Sequence, residues 1–233
     1  MKQLYVLAEG QAEEGFINRI LLPHLLHFSL YVQPIVLTTR RDRLAGRVYR
    51  GGVRLYTQIE TDIRNLMHRC SIGQVWLTTM LDLYALPDDF PGRANLTTPD
   101  PYLRVKTLEQ ELSNAWGNHP CLLPYIQLHE FEALLLSDVD KFDWEFIEDK
   151  DAEGITKLKQ IVANFASPEE INEGESTAPS KRIIECLPRY AKRKASSGPP
   201  IAEKIGLETM RHKCPHFNAW IERLEELTQP STE

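Results

Sequence analysis

Apolar and polar positions alternate along the first half of this chain in blocks that change period, and those changes of period mark the elements. Residues 3–8 (QLYVLA) form a short β-branched and apolar run ending at Glu9-Gly10, and from residue 12 to 30 apolar positions recur at helical spacing. This predicts a strand, a tight turn and a helix. Residues 32–38 read as a second strand, and the arginine-rich stretch after it, with Gly46 and the Gly51-Gly52 pair, reads as a loop. Residues 55–70 are helical by pattern, and 74–81 (QVWLTTML) predict a strand with Asp82 at its end. The Pro- and Asp-rich segment that follows reads as a loop. A helix over 102–116, a strand over 122–128 and a helix beginning in 129–136 complete the alternation. After about residue 138 the strand signals stop, and helices are expected over 153–166, 180–190, 201–213 and 216–227. The segment KRKASSGPP (192–200) has the composition of a flexible loop.

Strands alternating with helices imply a parallel sheet, because a parallel neighbour needs a crossover connection. The expected fold is therefore α/β: a parallel sheet flanked by helices over residues 1–138, followed by a helical carboxyl-terminal lobe over 139–233. Functional groups of such sheets gather where strands finish at their carboxyl ends. Glu9, Asp82 and Glu130 all fall there.

Composition narrows the setting. With 233 residues, 42% of them hydrophobic, the chain can bury one substantial core. No apolar run is long enough for a membrane span and no secretion leader is visible, so a cytoplasmic protein is expected. Cys70, Cys121, Cys186 and Cys214 form no CxxC pair, which suits reduced thiols. The net charge of −6 is unevenly spread. Between Arg40 and Arg54, six arginines (Arg40, Arg41, Arg43, Arg47, Arg50 and Arg54) face one aspartate. Residues 138–175 carry twelve carboxylates against four lysines, and residues 181–213 carry nine basic residues against three acidic ones. Two basic segments able to track phosphates thus flank an acidic one.

The acidic residues near strand ends carry the candidate chemistry. In LAEGQAEEGF, Glu9 ends a strand and Gly10 lets the chain turn, while Glu13, four residues on, reaches the same place from the first helical turn. Glu13 and Glu14 would also favour the positive end of that helix. Asp82 alone could be a turn former. Paired with Glu9 on a neighbouring strand, it makes a pocket of the kind hard cations occupy, because a divalent ion relieves the repulsion between close carboxylates. A third carboxylate is expected from Glu130, which directly follows a strand. Glu132 would point about 200° away if both lay on one helix, and Asp88 and Asp89 lie in a loop. Tyr84 is unsuited as an anionic ligand, since a phenol titrates near pH ~10. Lys181 and Arg182 of APSKRI are candidates for steadying phosphate charge, and His129 for proton transfer or structure. His212, Cys214 and His216 lack a fourth ligand for zinc.

The run VLAEGQAEE, followed by an apolar strand ending in Asp82, resembles the Toprim domain of topoisomerases, primases and the nucleases of the overcoming-lysogenization-defect type. MLDLYALPDDFPG, IQLHEFEALLLSD, APSKRI and IGLETMRHKCPHFNAWIERL resemble, over nearly the whole chain, a family of small stand-alone Toprim-like prokaryotic proteins of unknown function. The resemblance implies a Mg²⁺ (or Mn²⁺) site in which Glu9 acts as acid/base or ligand. It also implies a metal-binding DxD, matched here by Asp82-Leu83-Tyr84 with tyrosine in place of the second aspartate, and Glu9 and Glu13 match the EGxxE spacing of the nuclease branch. It further implies antiphage defence beside an ATPase of the ABC or SMC-like kind. The resulting expectation is a metal-dependent nuclease acting on DNA or RNA, with a homo-oligomer possible. The alternative is a non-catalytic Toprim-like partner or sensor of an ATPase complex.

Overall fold

A computed structural model describes residues 2–42, 47–50, 55–171 and 177–229. The chain opens with β1 (Lys2–Ala8), then α1 (Gln11–Phe16), a π-helical turn (Ile17–Leu21) and α2 (Leu22–Leu26). β2 (Leu30–Val36) follows, and the arginine-rich stretch, expected as a loop, forms instead an antiparallel ribbon of β3 (Thr38–Asp42) and β4 (Arg47–Arg50). Thr38, Thr39, Val48 and Tyr49 supply β-formers that the charge pattern hides. Next come α3 (Tyr56–Met67), β5 (Val75–Asp82) and α4 (Pro101–Ala115).

The strand expected over 122–128 is broken into β6 (Leu122–Leu123) and β7 (Ile126–Gln127). Pro124 has no N–H for the ladder. The hydroxyl of Thr79 bridges the gap, donating to Tyr125 O at 2.7 Å and accepting from Tyr125 N at 2.9 Å. α5 (Glu132–Leu135), α6 (Asp149–Val162), α7 (Pro179–Cys186), α8 (Lys194–Ile205), α9 (Leu207–Lys213) and α10 (Pro215–Glu226) complete the chain.

The main sheet runs β2-β1-β5-β6 with β7 also on β5, and every pairing in it is parallel. β1 sits between two strands and is buried on both sides. Leu4, Val6 and Ala8 face one apolar cluster, and Tyr5 and Leu7 face the other. That is the pattern of a central parallel strand. α3 and α4 cover the second face. The first is covered by α1, α2 and the carboxyl-terminal helices, whose Ile183, Ile201 and Trp220 share one core with Leu4 and Val6.

KRKASSGPP is not a loop: Lys194–Pro200 forms the first part of α8, with Pro199 and Pro200 inside the helix. A side chain at Gly15 of α1 would meet Pro199 Cγ at 2.5 Å, so α1 and α8 approach as closely as a glycine permits. Among the described residues, no helix is long and apolar enough to cross a membrane.

Candidate functional site: an acidic cavity at the carboxyl edge of the sheet

Three parallel chain segments deliver carboxylates to one place. β1 ends at Ala8 and β5 at Asp82, and these strands are paired neighbours, so Glu9 and Asp82 meet at the same edge. A carboxylate oxygen of Glu9 accepts the backbone N–H of Asp82 at 3.2 Å. Glu13 is buried in the first turn of α1 and accepts the N–H of Gly10 at 2.8 Å. Asp82 accepts the N–H of Phe131 at 2.9 Å, which ties β5 to the connection after β7.

That connection turns sharply. His129 adopts φ 64°, a left-handed conformation that an L side chain rarely takes. The helix after it begins only at Glu132. Glu130 therefore precedes the helix, the expected 200° separation does not apply, and both Glu130 and Glu132 line the cavity. Glu130 accepts the N–H of Ser180 at 2.8 Å, placing its charge at the amino terminus of α7. Glu132 pairs with Lys194 Nζ at 3.1 Å and accepts the Tyr190 hydroxyl at 3.4 Å.

The cavity holds about 300 Å³ and is walled by Glu9, Glu13, Asp82, Glu130, Glu132 and Lys194, with Tyr84 beside them. Among the described residues, five carboxylates thus face one ammonium. Burial, and then the neighbouring Glu13, push Glu9 up to about 8. Burial pushes Glu13 up to about 7, against the pull of the N–H groups it accepts. Asp82 is held well above the usual carboxylate range by burial, then by Glu9 and Glu13. Burial also raises Glu132, with Lys194 opposing.

The donor set is all oxygen, which suits a hard cation. Each carboxylate offers about four lone-pair sites, so one accepted N–H leaves capacity for another partner. As the side chains stand, no three His, Cys, Asp or Glu groups among the described residues are arranged to hold one ion.

The other sequence candidates lie elsewhere. Lys181 is exposed on α7 and Arg182 half-buried beside it, and neither lines the cavity. The cation that does is Lys194, from the segment expected to be a loop. Asp89 accepts the N–H of Tyr56 at 2.8 Å at the start of α3, and Asp88 is a fully exposed partner of Arg93. His129 is buried, with Nε2 3.0 Å from Glu169 O and its ring 5.3 Å from that of Tyr84. Cys214 contacts Ser137, and His216 contacts Glu109 and Ile126 O, so His212, Cys214 and His216 do not converge. Of the arginines, Arg40, Arg41, Arg47 and Arg50 lie on the β3–β4 ribbon, while Arg43 and Arg54 lie outside the described residues.

Fold and cavity define an α/β protein with an acidic site at the carboxyl edge of a parallel sheet. The chain belongs to the family described as a domain of unknown function, DUF4276, which it matches over residues 8–225. No curated protein and no solved structure matches it.

Proposed function

We propose that the acidic cavity is a divalent-cation site for phosphodiester hydrolysis on nucleic acid, making the protein a Mg²⁺- or Mn²⁺-dependent nuclease. The observation that carries this reading is the convergence of Glu9, Glu13, Asp82, Glu130 and Glu132 on one cavity at the strand ends. Like charges gathered in a half-buried space favour either bound protons or a bound cation. Glu9 and Asp82 would hold the ion, joined by Glu13 and by Glu130 or Glu132 after small rotamer changes. When bound, Mg²⁺ supplies charge neutralisation at the scissile phosphate and a lowered pKa for the attacking water.

The chain's own groups do the rest. Glu9, raised to about 8, can exchange a proton near neutral pH. Lys194 offers positive charge at the cavity wall where phosphate oxygens would sit. The β3–β4 ribbon, which carries four of the arginines in sequence, follows the carboxyl end of β2, whose last residue pairs with Ala8, so the ribbon's backbone begins at the edge where Glu9 lies. Its arginines would grip the phosphate backbone without reading sequence. The Toprim resemblance adds support through Glu9-Gly10 and Asp82.

The test is incubation of purified protein with DNA and RNA panels in MgCl₂ or MnCl₂. Cleavage by the wild type and its loss in folded Glu9→Gln and Asp82→Asn variants is the expected result. Absence of cleavage of any substrate, with and without a neighbouring ATPase, would leave the second reading. That reading is a non-catalytic partner or sensor of an ABC or SMC-like ATPase. It is favoured by one observation: Glu9, Glu13, Asp82 and Glu130 each already accept a backbone N–H, as carboxylates in a structural latch would.

A further inference from the structure

A second cavity adjoins the acidic one, and its chemistry is opposite. It holds about 340 Å³ and is lined by Leu83, Tyr84, Arg93, Leu96, Arg104 and Leu108. Tyr84 lines both cavities, so they meet across the 3₁₀ turn Leu83–Ala85 that directly follows Asp82. Among the described residues, no carboxylate lines the second cavity.

The two arginines are held by the fold. Arg104 stands on α4, where its guanidinium donates to Thr98 O at 3.3 Å. Arg93 opens a 3₁₀ turn just after Gly92, whose φ is 80°. A side chain at Gly92 would meet Glu111 Cγ of α4 at 2.6 Å, so this loop lies tight against α4 and fixes Arg93 near Arg104. Phe90, buried in the second core, anchors the same loop. Arg93 Nε lies 3.5 Å from Asp88, a carboxylate fully open to water. Exposed pairs of this kind contribute little and yield easily to a stronger anion.

We infer that the Arg93–Arg104 cavity binds a phosphodiester group of a single nucleic-acid strand that also enters the acidic cavity beside it. Two guanidiniums offer forked donors to phosphate oxygens. Leu96, backed by the buried Leu83 and Leu108, makes an apolar floor, and Tyr84 adds a ring. A nucleic-acid strand carries one anionic phosphate and one largely apolar sugar–base unit per residue, which matches the charged rim and that floor together. An acidic peptide would match the charge alone. The volume lies in the range of ligand pockets, roughly 300–1,000 Å³. The inference rests on the nuclease reading for what happens to the strand, but the binding itself is tested separately.

The probe is a short fluorescein-labelled single strand, DNA and RNA in separate arms, titrated by anisotropy in CaCl₂ across a KCl series. Arg93→Ala and Arg104→Ala should each weaken binding roughly tenfold and flatten the salt slope by about 0.7 for each phosphate that the variant no longer neutralises. Arg93→Glu, at a partly exposed site, should abolish binding while keeping the wild-type melting temperature. Arg64→Ala, on the exposed face of α3, controls for net charge and should bind as wild type. Arg93→Glu binding within about twofold of wild type, or no binding by the wild type, would overturn the inference. Arginine-dependent binding without cleavage by any metal would uphold the inference and sink the nuclease reading instead. Glu9→Gln should lose cleavage and keep binding.

Discussion

At the scale of single residues, Glu9 and Lys194 decide the most. Glu9 in the fold keeps its proton up to about pH 8, against an ordinary value of 4.5. A glutamine there copies the protonated form. Glu9→Gln should therefore melt within a degree or two of wild type at pH 5 and several degrees higher at pH 8.5 without metal, because it removes a buried charge among like charges. A differential scanning comparison at the two pH values checks this, and equal melting at pH 8.5 would show that the cluster is better screened than its burial implies. Lys194→Met should lower cleavage by about 100-fold or more, in the range for loss of one charge-stabilising donor. Lys181→Met, on an exposed helix face, should lower it less than about twofold. The reverse ranking in initial rates would restore the residue that the motif suggested. Glu9 and Asp82 are legible from sequence because each directly ends an apolar run, so strand and site come from one pattern. Lys194 is not, since its place depends on packing between α1 and α8 that no local pattern encodes. Glu132 joins the site against expectation because the helix starts three residues later than its apolar pattern suggests, after a left-handed His129.

At the scale of elements, the departures from the sequence pattern have physical causes. Pro124 splits a run of apolar residues into two short strands, and a threonine on the neighbouring strand mends the ladder, a contact 46 residues away in sequence. Glycine and prolines in SSGPP carry the usual composition of a linker. They lie in a helix here, with Pro199 packed against Gly15. Helix propensity alone would make Gly15→Ala stabilising by ~1 kcal/mol. The contact with Pro199 reverses the sign, and a net loss of ~1–3 kcal/mol is expected in urea unfolding. A stabilised variant would mean that α1 and α8 part more readily than their spacing indicates. The β3–β4 ribbon is a separate case, with charges placed on β-forming backbone. Replacing Arg40, Arg41 and Arg43 by alanine should weaken nucleic-acid binding and flatten its salt dependence with little change in melting temperature. Unchanged affinity would recast the ribbon as an interface for an acidic protein partner.

At the scale of the whole molecule, the acidic cavity couples stability to pH and to divalent metal. The carboxyl-terminal helices share a core with the sheet and supply Lys194 to the cavity, so events in the cavity bear on the whole fold. Glu9 and Glu13 take up protons in the folded chain with values about 8 and 7, both above their ordinary 4.5. Between pH 4.5 and 8 the folded state thus binds more protons at these groups than the unfolded state does. The slope of unfolding free energy with pH is then negative. Their contribution is fully present below 4.5 and is lost as pH rises through 7 and 8. Without metal the melting temperature should fall by roughly 5 °C from pH 6 to pH 8.5. A divalent ion competes with those protons, so its affinity should rise with pH over the same range. At a hundredfold excess over its Kd, Mg²⁺ should stabilise by about 2.7 kcal/mol, and the shift in melting temperature should be larger at pH 8 than at pH 6. In weakly buffered solution, binding should release protons in proportion. Glu9→Gln and Asp82→Asn should each remove most of the Mg²⁺ shift. A wild-type melting temperature indifferent to Mg²⁺ and Mn²⁺ at pH 8 would mean that protons and Lys194 alone balance the cluster, and the carboxylates would then be a structural latch rather than a metal site.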